Sequence, residues 1–152
     1  SSTGNSLLPP PRPEVASFLM RPFPVQREQY IEHFITMWKI LNTDGLPFED
    51  ARLLELAVQT YERGFSASGS ARQLAAILLS GSRKEGLMKV NVPSLVIHGD
   101  RDPLLPLECG IDIAKSIPGA AMKVIQGMGH ALPPCIWDDI IDAFVLHAGT
   151  YG

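Results

Sequence analysis

Residues 92–102 read VPSLVIHGDRD, and after a gap of helical length residues 127–130 read GMGH. The apolar run Ser94–His98 has the length of a strand and is typical of a parallel strand that is covered on both faces. Ala121–Ile125 is a second short apolar run, and a helical pattern follows each of the two runs. The second of these helices is predicted over Ile136–His147, and its apolar face consists of Ile136, Ile140, Ile141, Phe144 and Val145. This alternation predicts two neighbouring parallel strands that are joined by a right-handed crossover.

An acidic residue follows the first predicted strand, and a histidine follows the second. These residues are Asp102 and His130. The carboxyl ends of neighbouring parallel strands lie at one edge of a sheet, where the functional groups of open α/β sheets gather. A carboxylate bound to one imidazole nitrogen holds a histidine in the tautomer that a general base needs. Each residue also has a non-catalytic interpretation, because an aspartate here can simply form a turn and the histidine can simply face solvent. Their order after successive strands favours a catalytic pair.

The part of the chain before residue 92 predicts helices and connections. Its proline-rich start lacks a sustained period, which is typical of an extended connection. Apolar residues recur with a helical period from Arg27 onward, and further helices are predicted over about 48–63 and 70–81. We therefore divide the chain into a helical region, residues 1–91, and a βαβα region, residues 92–152.

Composition excludes several classes of protein. The chain has 152 residues, a formal net charge of −3 and no cluster of basic residues, so nucleic acid is not an expected partner. No apolar run approaches the roughly 20 residues that cross a membrane, and no signal-peptide pattern is present, so no membrane partner is expected. Cys109 and Cys135 lack the spacing of a metal site or of a disulfide framework, which favours a reduced, cytoplasmic setting.

Several stretches of the chain resemble the C-terminal part of the α/β-hydrolase fold. The most specific are residues 92–106, the Ile117-Pro-Gly-Ala turn and residues 125–130. Residues 64–77 resemble the end of the lid in esterase-like members related to aclacinomycin methylesterase, and residues 1–5 resemble the segment after the sixth strand. The resemblance implies an α/β fold with a helical lid followed by βαβα with parallel strands, and with the N-terminal sheet and nucleophile elbow absent from the chain.

The resemblance also implies roles for the site residues. Asp102 is expected to be the acid of a Ser-His-Asp triad and His130 its base, with Asp100 as the alternative acid. The family keeps the order Ser, Asp, His, with the serine in a Gly-x-Ser-x-Gly elbow. Ser66 lies in the string nearest to that pattern, but the closing glycine is lacking, so we expect Ser66 to cap a helix. The nucleophile and the oxyanion loop are expected ahead of residue 1, and the chain alone is expected to be inactive.

The implied activity is hydrolysis of a small lipophilic carboxylic ester, without a metal or an organic cofactor. Other chemistries of the family stay open, namely C–C hydrolase, lactonase, thioesterase, dehalogenase, epoxide hydrolase and haloperoxidase, as does a non-catalytic ligand-binding module. Tyr30, Phe34, Met37 and Trp38 are candidates to line an apolar substrate pocket. Packing between lid helices is the interpretation that we favour for any one of them.

The two predicted strands are too few to form an independent sheet. Strands with apolar faces need further strands or helices to cover them, and an open strand edge can pair with another chain. We therefore expect the missing N-terminal half of the hydrolase, or another copy of the chain, to cover the open sheet edge.

Overall fold

The computed structural model describes residues 2–42, 45–64 and 66–151, and these contain seven α-helices and two β-strands. The helices are α1 (Pro13–Leu19), α2 (Arg27–Asn42), α3 (Asp50–Glu62), α4 (Ala67–Leu79), α5 (Lys84–Leu87), α6 (Leu107–Ser116) and α7 (Trp137–Tyr151), and the strands are β1 (Leu95–Gly99) and β2 (Ala121–Ile125). Ser1 and Phe65, which belong to two of the stretches that carry the resemblance, lie outside the described residues.

Strands β1 and β2 pair in parallel, as the sequence predicts. Helix α6 connects them and packs against both strands. Gly99 at the end of β1 lies opposite Ile125 at the end of β2. Because the strands run in the same direction, the loops that carry Asp102 and His130 leave the sheet at the same edge.

The helical region has its own apolar core between α2 and α3. Tyr30 and Phe34 of α2 are buried against Ala57 of α3. The aromatic rings of Tyr30 and Tyr61 are in tilted contact, with 5.3 Å between their centroids. The period of α2 places these side chains on one face of the helix, and burying that face against α3 holds the two helices together.

Helix α4 begins earlier than the sequence predicts. The predicted start was near Ser70, whereas the helix starts at Ala67 and Ser66 is its N-cap. The Oγ atom of Ser66 accepts a hydrogen bond from the N–H of Gly69 at 3.2 Å, which pairs one of the open donors of the first turn. The stretch contains three alternating serines, any of which is a suitable cap, so the residue types alone did not distinguish between them. The expectation that Ser66 caps a helix is confirmed.

A second core joins the sheet to the start of α7. It consists of Ile125, Met128 and Ile136, with Leu46, Ile97 and Ile140 packed against them. The rest of the apolar face predicted for the last helix stays open, since Ile141, Phe144 and Val145 are all more than half exposed. The end of α4, residues 77–79, is also apolar and exposed. None of the helices in the described parts of the chain is long and apolar enough to cross a membrane.

Candidate active site

His130 and Asp102 form a hydrogen-bonded pair at the edge where β1 and β2 end. The Nδ1 atom of His130 lies 2.7 Å from Oδ2 of Asp102. Because an ionised carboxylate only accepts hydrogen bonds, Nδ1 carries the proton and Nε2 keeps a free lone pair. The Asp102 side chain is 6% exposed and the His130 side chain 30% exposed, so a buried acid lies behind a base that reaches the surface. No residue in the described ranges forms a hydrogen bond with Nε2.

The other carboxylate oxygen of Asp102 is held by the backbone of its own turn. Oδ1 accepts hydrogen bonds from the N–H groups of Leu104 at 2.9 Å and Leu105 at 2.8 Å. Burial raises the pKa of the Asp102 carboxyl. The hydrogen bond and charge of His130, together with the two N–H groups, outweigh burial, and the net pKa lies below its ordinary value. The carboxylate is therefore ionised at neutral pH and is available as a charged partner for His130.

We expect the Asp102 carboxylate to stabilise the fold in a pH-dependent way. Its pKa is lower in the folded chain than in the unfolded chain. The stabilisation is therefore complete above the unfolded-state pKa of about 3.9 and is lost as the pH falls through the folded-state pKa. Below about pH 4 the free energy of unfolding of the wild type should fall more steeply than that of Asp102→Asn. Chemical denaturation at a series of pH values measures both, and equal pH slopes would contradict this expectation.

His98 supports the turn that carries the acid. Its Nε2 atom donates to the carbonyl oxygen of Leu105 at 2.8 Å, and it lies 3.9 Å from Oδ2 of Asp102. The buried ring fits because Gly110 of α6 has no side chain, and a Cβ at that position would lie only 2.6 Å from Nδ1 of His98. His98 thereby ties β1 to the turn after it, and the structure shows it as a structural hydrogen-bond donor.

Asp100, the alternative acid, binds the backbone of the loop that carries His130. Its Oδ1 atom accepts a hydrogen bond from the N–H of Gly127 at 2.7 Å. Gly127 has a φ of 76°, a conformation that favours glycine. The first aspartate of the Gly-Asp-Arg-Asp stretch thus binds the loop of residues 127–130, which we call the histidine loop. The second aspartate, Asp102, binds the imidazole. This geometry favours Asp102 as the acid.

The end of α2 also reaches the histidine loop, and the sequence analysis missed this contact. The backbone N–H of His130 donates to the carbonyl oxygen of Leu41 at 2.8 Å. Gly129 approaches the same helix end so closely that a Cβ there would lie 2.5 Å from the carbonyl oxygen of Asn42. No local pattern in the sequence signals a contact between segments so far apart in the chain.

The four pocket candidates on α2 do not share one surface. Tyr30 and Phe34 lie in the core against α3, and Trp38 packs at the edge of that core. Met37 faces α1 and lies beside Phe18. With a rise of about 1.5 Å per residue, Tyr30 is about 16 Å along the helix from the end that meets His130, whereas Trp38 is about 5 Å from it. Substrate contact by these residues stays a prediction, and Trp38 is the best placed for it.

The described residues 2–42, 45–64 and 66–151 contain no group of three or more His, Cys, Asp or Glu side chains arranged to hold a metal ion. Cys109 and Cys135 are free thiols, the first buried and the second exposed. Burial raises the pKa of the Cys109 thiol, so this side chain is kept in its neutral form.

Comparison with known proteins relates the chain to hydrolases. Rhodomycin D methylesterase of Streptomyces peucetius is 30% identical to it over 122 residues, which make up 79% of this chain and 40% of the methylesterase. An esterase from Rhodococcus sp. ECU1013 matches with a TM-score of 0.62 at 17% identity, over 91% of this chain and 48% of the esterase. The meta-cleavage product hydrolase of Pseudomonas fluorescens IP01 also matches with a TM-score of 0.62, at 21% identity, over 80% of this chain and 46% of the hydrolase. No protein-family model matches the chain.

The chain has the fold of the C-terminal portion of an α/β-hydrolase. It spans 40% of the length of the related methylesterase, in the C-terminal part of that enzyme. Both the resemblance to esterase-like α/β-hydrolases and the predicted fold class are therefore confirmed. Helices followed by a small parallel sheet are what this part of an α/β-hydrolase contains, and the loops after β1 and β2 carry the predicted acid and base.

Proposed function

We propose that this chain is the C-terminal, lid-bearing half of a carboxylic ester hydrolase with a Ser-His-Asp triad. The observation that carries the proposal is the 2.7 Å bond between a buried, ionised Asp102 and Nδ1 of His130. Sequence similarity to a methylesterase favours an ester as the substrate. The meta-cleavage product hydrolase is 21% identical and is similar in fold alone, so it supports C–C hydrolysis less than the methylesterase supports ester hydrolysis.

His130 is the general base of the proposed reaction. Its Nε2 atom takes the proton of the serine hydroxyl as the serine oxygen bonds to the acyl carbon, and it then gives this proton to the departing alcohol. Asp102 holds the imidazole in the required tautomer, and its charge stabilises the imidazolium that forms. A water molecule, deprotonated by the same Nε2 atom, then attacks the acyl-enzyme, and His130 returns the proton to the serine oxygen as the carboxylic acid leaves.

We place the nucleophilic serine and the oxyanion hole in polypeptide that precedes residue 1. The order Ser, Asp, His of this fold supports that placement. Ser66 is engaged as the N-cap of α4, and no serine in the described ranges forms a hydrogen bond with His130. An acid and a base without a nucleophile cannot form an acyl-enzyme.

The proposed substrate is a small lipophilic ester, and the proposed location is the cytoplasm. Trp38 lies within one helical turn of the α2 end that contacts His130, where it could meet an apolar acyl group. The free thiols of Cys109 and Cys135 suit a reducing compartment.

The proposed partner is the N-terminal half of the same hydrolase, with a second copy of the chain as the alternative. The exposed face of α7, which includes Ile141, Phe144 and Val145, offers a large apolar surface for it. Each of the two paired strands also has one edge without a described neighbour, where further strands of the hydrolase could pair.

Expression of the chain with and without the polypeptide encoded ahead of it tests this proposal. Alone, the chain should not hydrolyse p-nitrophenyl butyrate, should not be labelled by a fluorophosphonate and should self-associate in sedimentation. Together, the two polypeptides should form a one-to-one complex that hydrolyses the ester and is labelled on a serine outside this chain. Ester turnover by the chain alone, or labelling of one of its own serines, would contradict the placement of the nucleophile. A cooperatively unfolding monomer would contradict the need for a partner.

A further inference from the structure

The last turn of α2 is in direct backbone contact with the histidine loop. The N–H of His130 pairs with the carbonyl oxygen of Leu41, one of the acceptors that a helix leaves open at its C-terminal end. A Cβ at Gly129 would lie 2.6 Å from that same oxygen and 2.5 Å from the carbonyl oxygen of Asn42. The loop therefore lies against the helix end with no space between them for a side chain.

The segment that follows α2 contacts the other end of the same loop. Gly45 lies so close to Gly127 that a Cβ on Gly45 would overlap the Gly127 carbonyl group. Leu46 packs against the core that contains Met128 of the loop. The lid side of the molecule thus touches the histidine loop at both its first and its last residues.

Asn42 joins these two contacts. Its side chain is 4% exposed, and its Nδ2 atom donates to the carbonyl oxygen of Leu46 at 2.6 Å, which ties the helix end to the segment after it. Its Oδ1 atom is buried and has no hydrogen-bond partner among the residues that the structure describes.

From these contacts we propose that Asn42 is a positioning residue for His130. It keeps the helix end and Leu46 in place, and they hold the histidine loop from the lid side as Asp100 holds it from the sheet side. Because Asp102 is anchored in its own turn, the bond between the acid and the base depends on where this loop places His130. The position of lid helix α2 and the competence of the base are therefore coupled. The proposal deepens the function proposed above and rests on it for its catalytic meaning.

The substitution Asn42→Asp tests this with little change in side-chain shape. It replaces the donating Nδ2 by an oxygen, which cannot donate to the carbonyl oxygen of Leu46. The readout is the far-downfield proton NMR signal of the Nδ1–H group that bridges His130 and Asp102, recorded on the chain in its native assembly. We expect Asn42→Asp to lose or broaden this signal. Ala57→Gly is the matched control, because it removes a buried methyl group of α3 that packs against Phe34, about 12 Å along α2 from Asn42.

Hydrogen exchange in the wild type gives a second readout that requires no variant to fold. If the loop and α2 move together, the backbone N–H of His130 should be as protected as the amides of the last turn of α2. Three results would overturn the proposal: a wild-type signal in folded Asn42→Asp, an equal loss of signal in Ala57→Gly, or exchange of the His130 amide independent of α2. Neither readout measures ester turnover, so failure of this proposal and failure of the proposed function are distinguishable.

Discussion

Replacement of His130 by alanine is expected to lower kcat for ester hydrolysis by about 10⁶-fold in the complete hydrolase, the loss that removal of the triad base causes. Without the Nε2 atom, the serine hydroxyl keeps its proton and the departing alcohol receives none. KM should change far less, because the imidazole acts on charge that develops in the transition state. Steady-state kinetics with a short-chain p-nitrophenyl ester measure both constants.

The matched control for this substitution is His33→Phe. The ring of His33 makes tilted contacts with the rings of Phe18 and Phe23, with 4.6 Å between centroids in each pair, and a phenylalanine ring can make the same contacts. This variant should retain activity close to that of the wild type. Ester turnover by folded His130→Ala at the wild-type rate would contradict the assignment of His130 as the catalytic base.

Replacement of Asp102 by asparagine is expected to lower kcat by about 10⁴-fold. The carboxylate uses both oxygens as acceptors, one for Nδ1 of His130 and one for the N–H groups of Leu104 and Leu105. An asparagine offers one acceptor and one donor. Its amide must either face the backbone donors of the turn or face His130, where it favours the tautomer with the proton on Nε2. The first choice weakens the turn, and the second removes the base.

Asp100→Asn is the control that separates the two aspartates. Asp100 needs one acceptor oxygen for the N–H of Gly127, and the asparagine oxygen can supply it. The kcat of the Asp100→Asn variant should therefore stay within a small factor of the wild-type value, measured under the same conditions. A larger loss for Asp100→Asn than for Asp102→Asn would show that Asp100 is the functional acid.

The elements with a strong local pattern were predicted almost to the residue. The bounds of β2, Ala121–Ile125, and the start of α2 at Arg27 agree with the structure. In both cases the pattern of apolar residues changes sharply at a turn, so the local sequence is sufficient to predict the boundary of the element. The predicted start of α4 was wrong because any of three alternating serines could cap the helix, and only the backbone conformation selects Ser66.

Periodicity also identified the buried face of α2 without identifying what covers it. Phe34 and Met37 both belong to the predicted apolar face, yet Phe34 packs against α3 and Met37 faces α1. In α7 the predicted apolar face is real but open, since Phe144 and its neighbours are exposed. A hydrophobic period identifies an apolar face, but it does not identify the element that packs against that face.

The sequence by itself determined that an acid and a histidine follow two parallel strands, and therefore that Asp102 and His130 meet at one sheet edge. The tertiary structure alone decided that Asp100 binds the backbone of the loop that carries His130, and that the end of α2 holds this loop from the side of the helical region. The difference has a physical reason. Strand direction follows from local pattern and chain connectivity, whereas a hydrogen bond depends on tenths of an ångström that packing between distant segments sets.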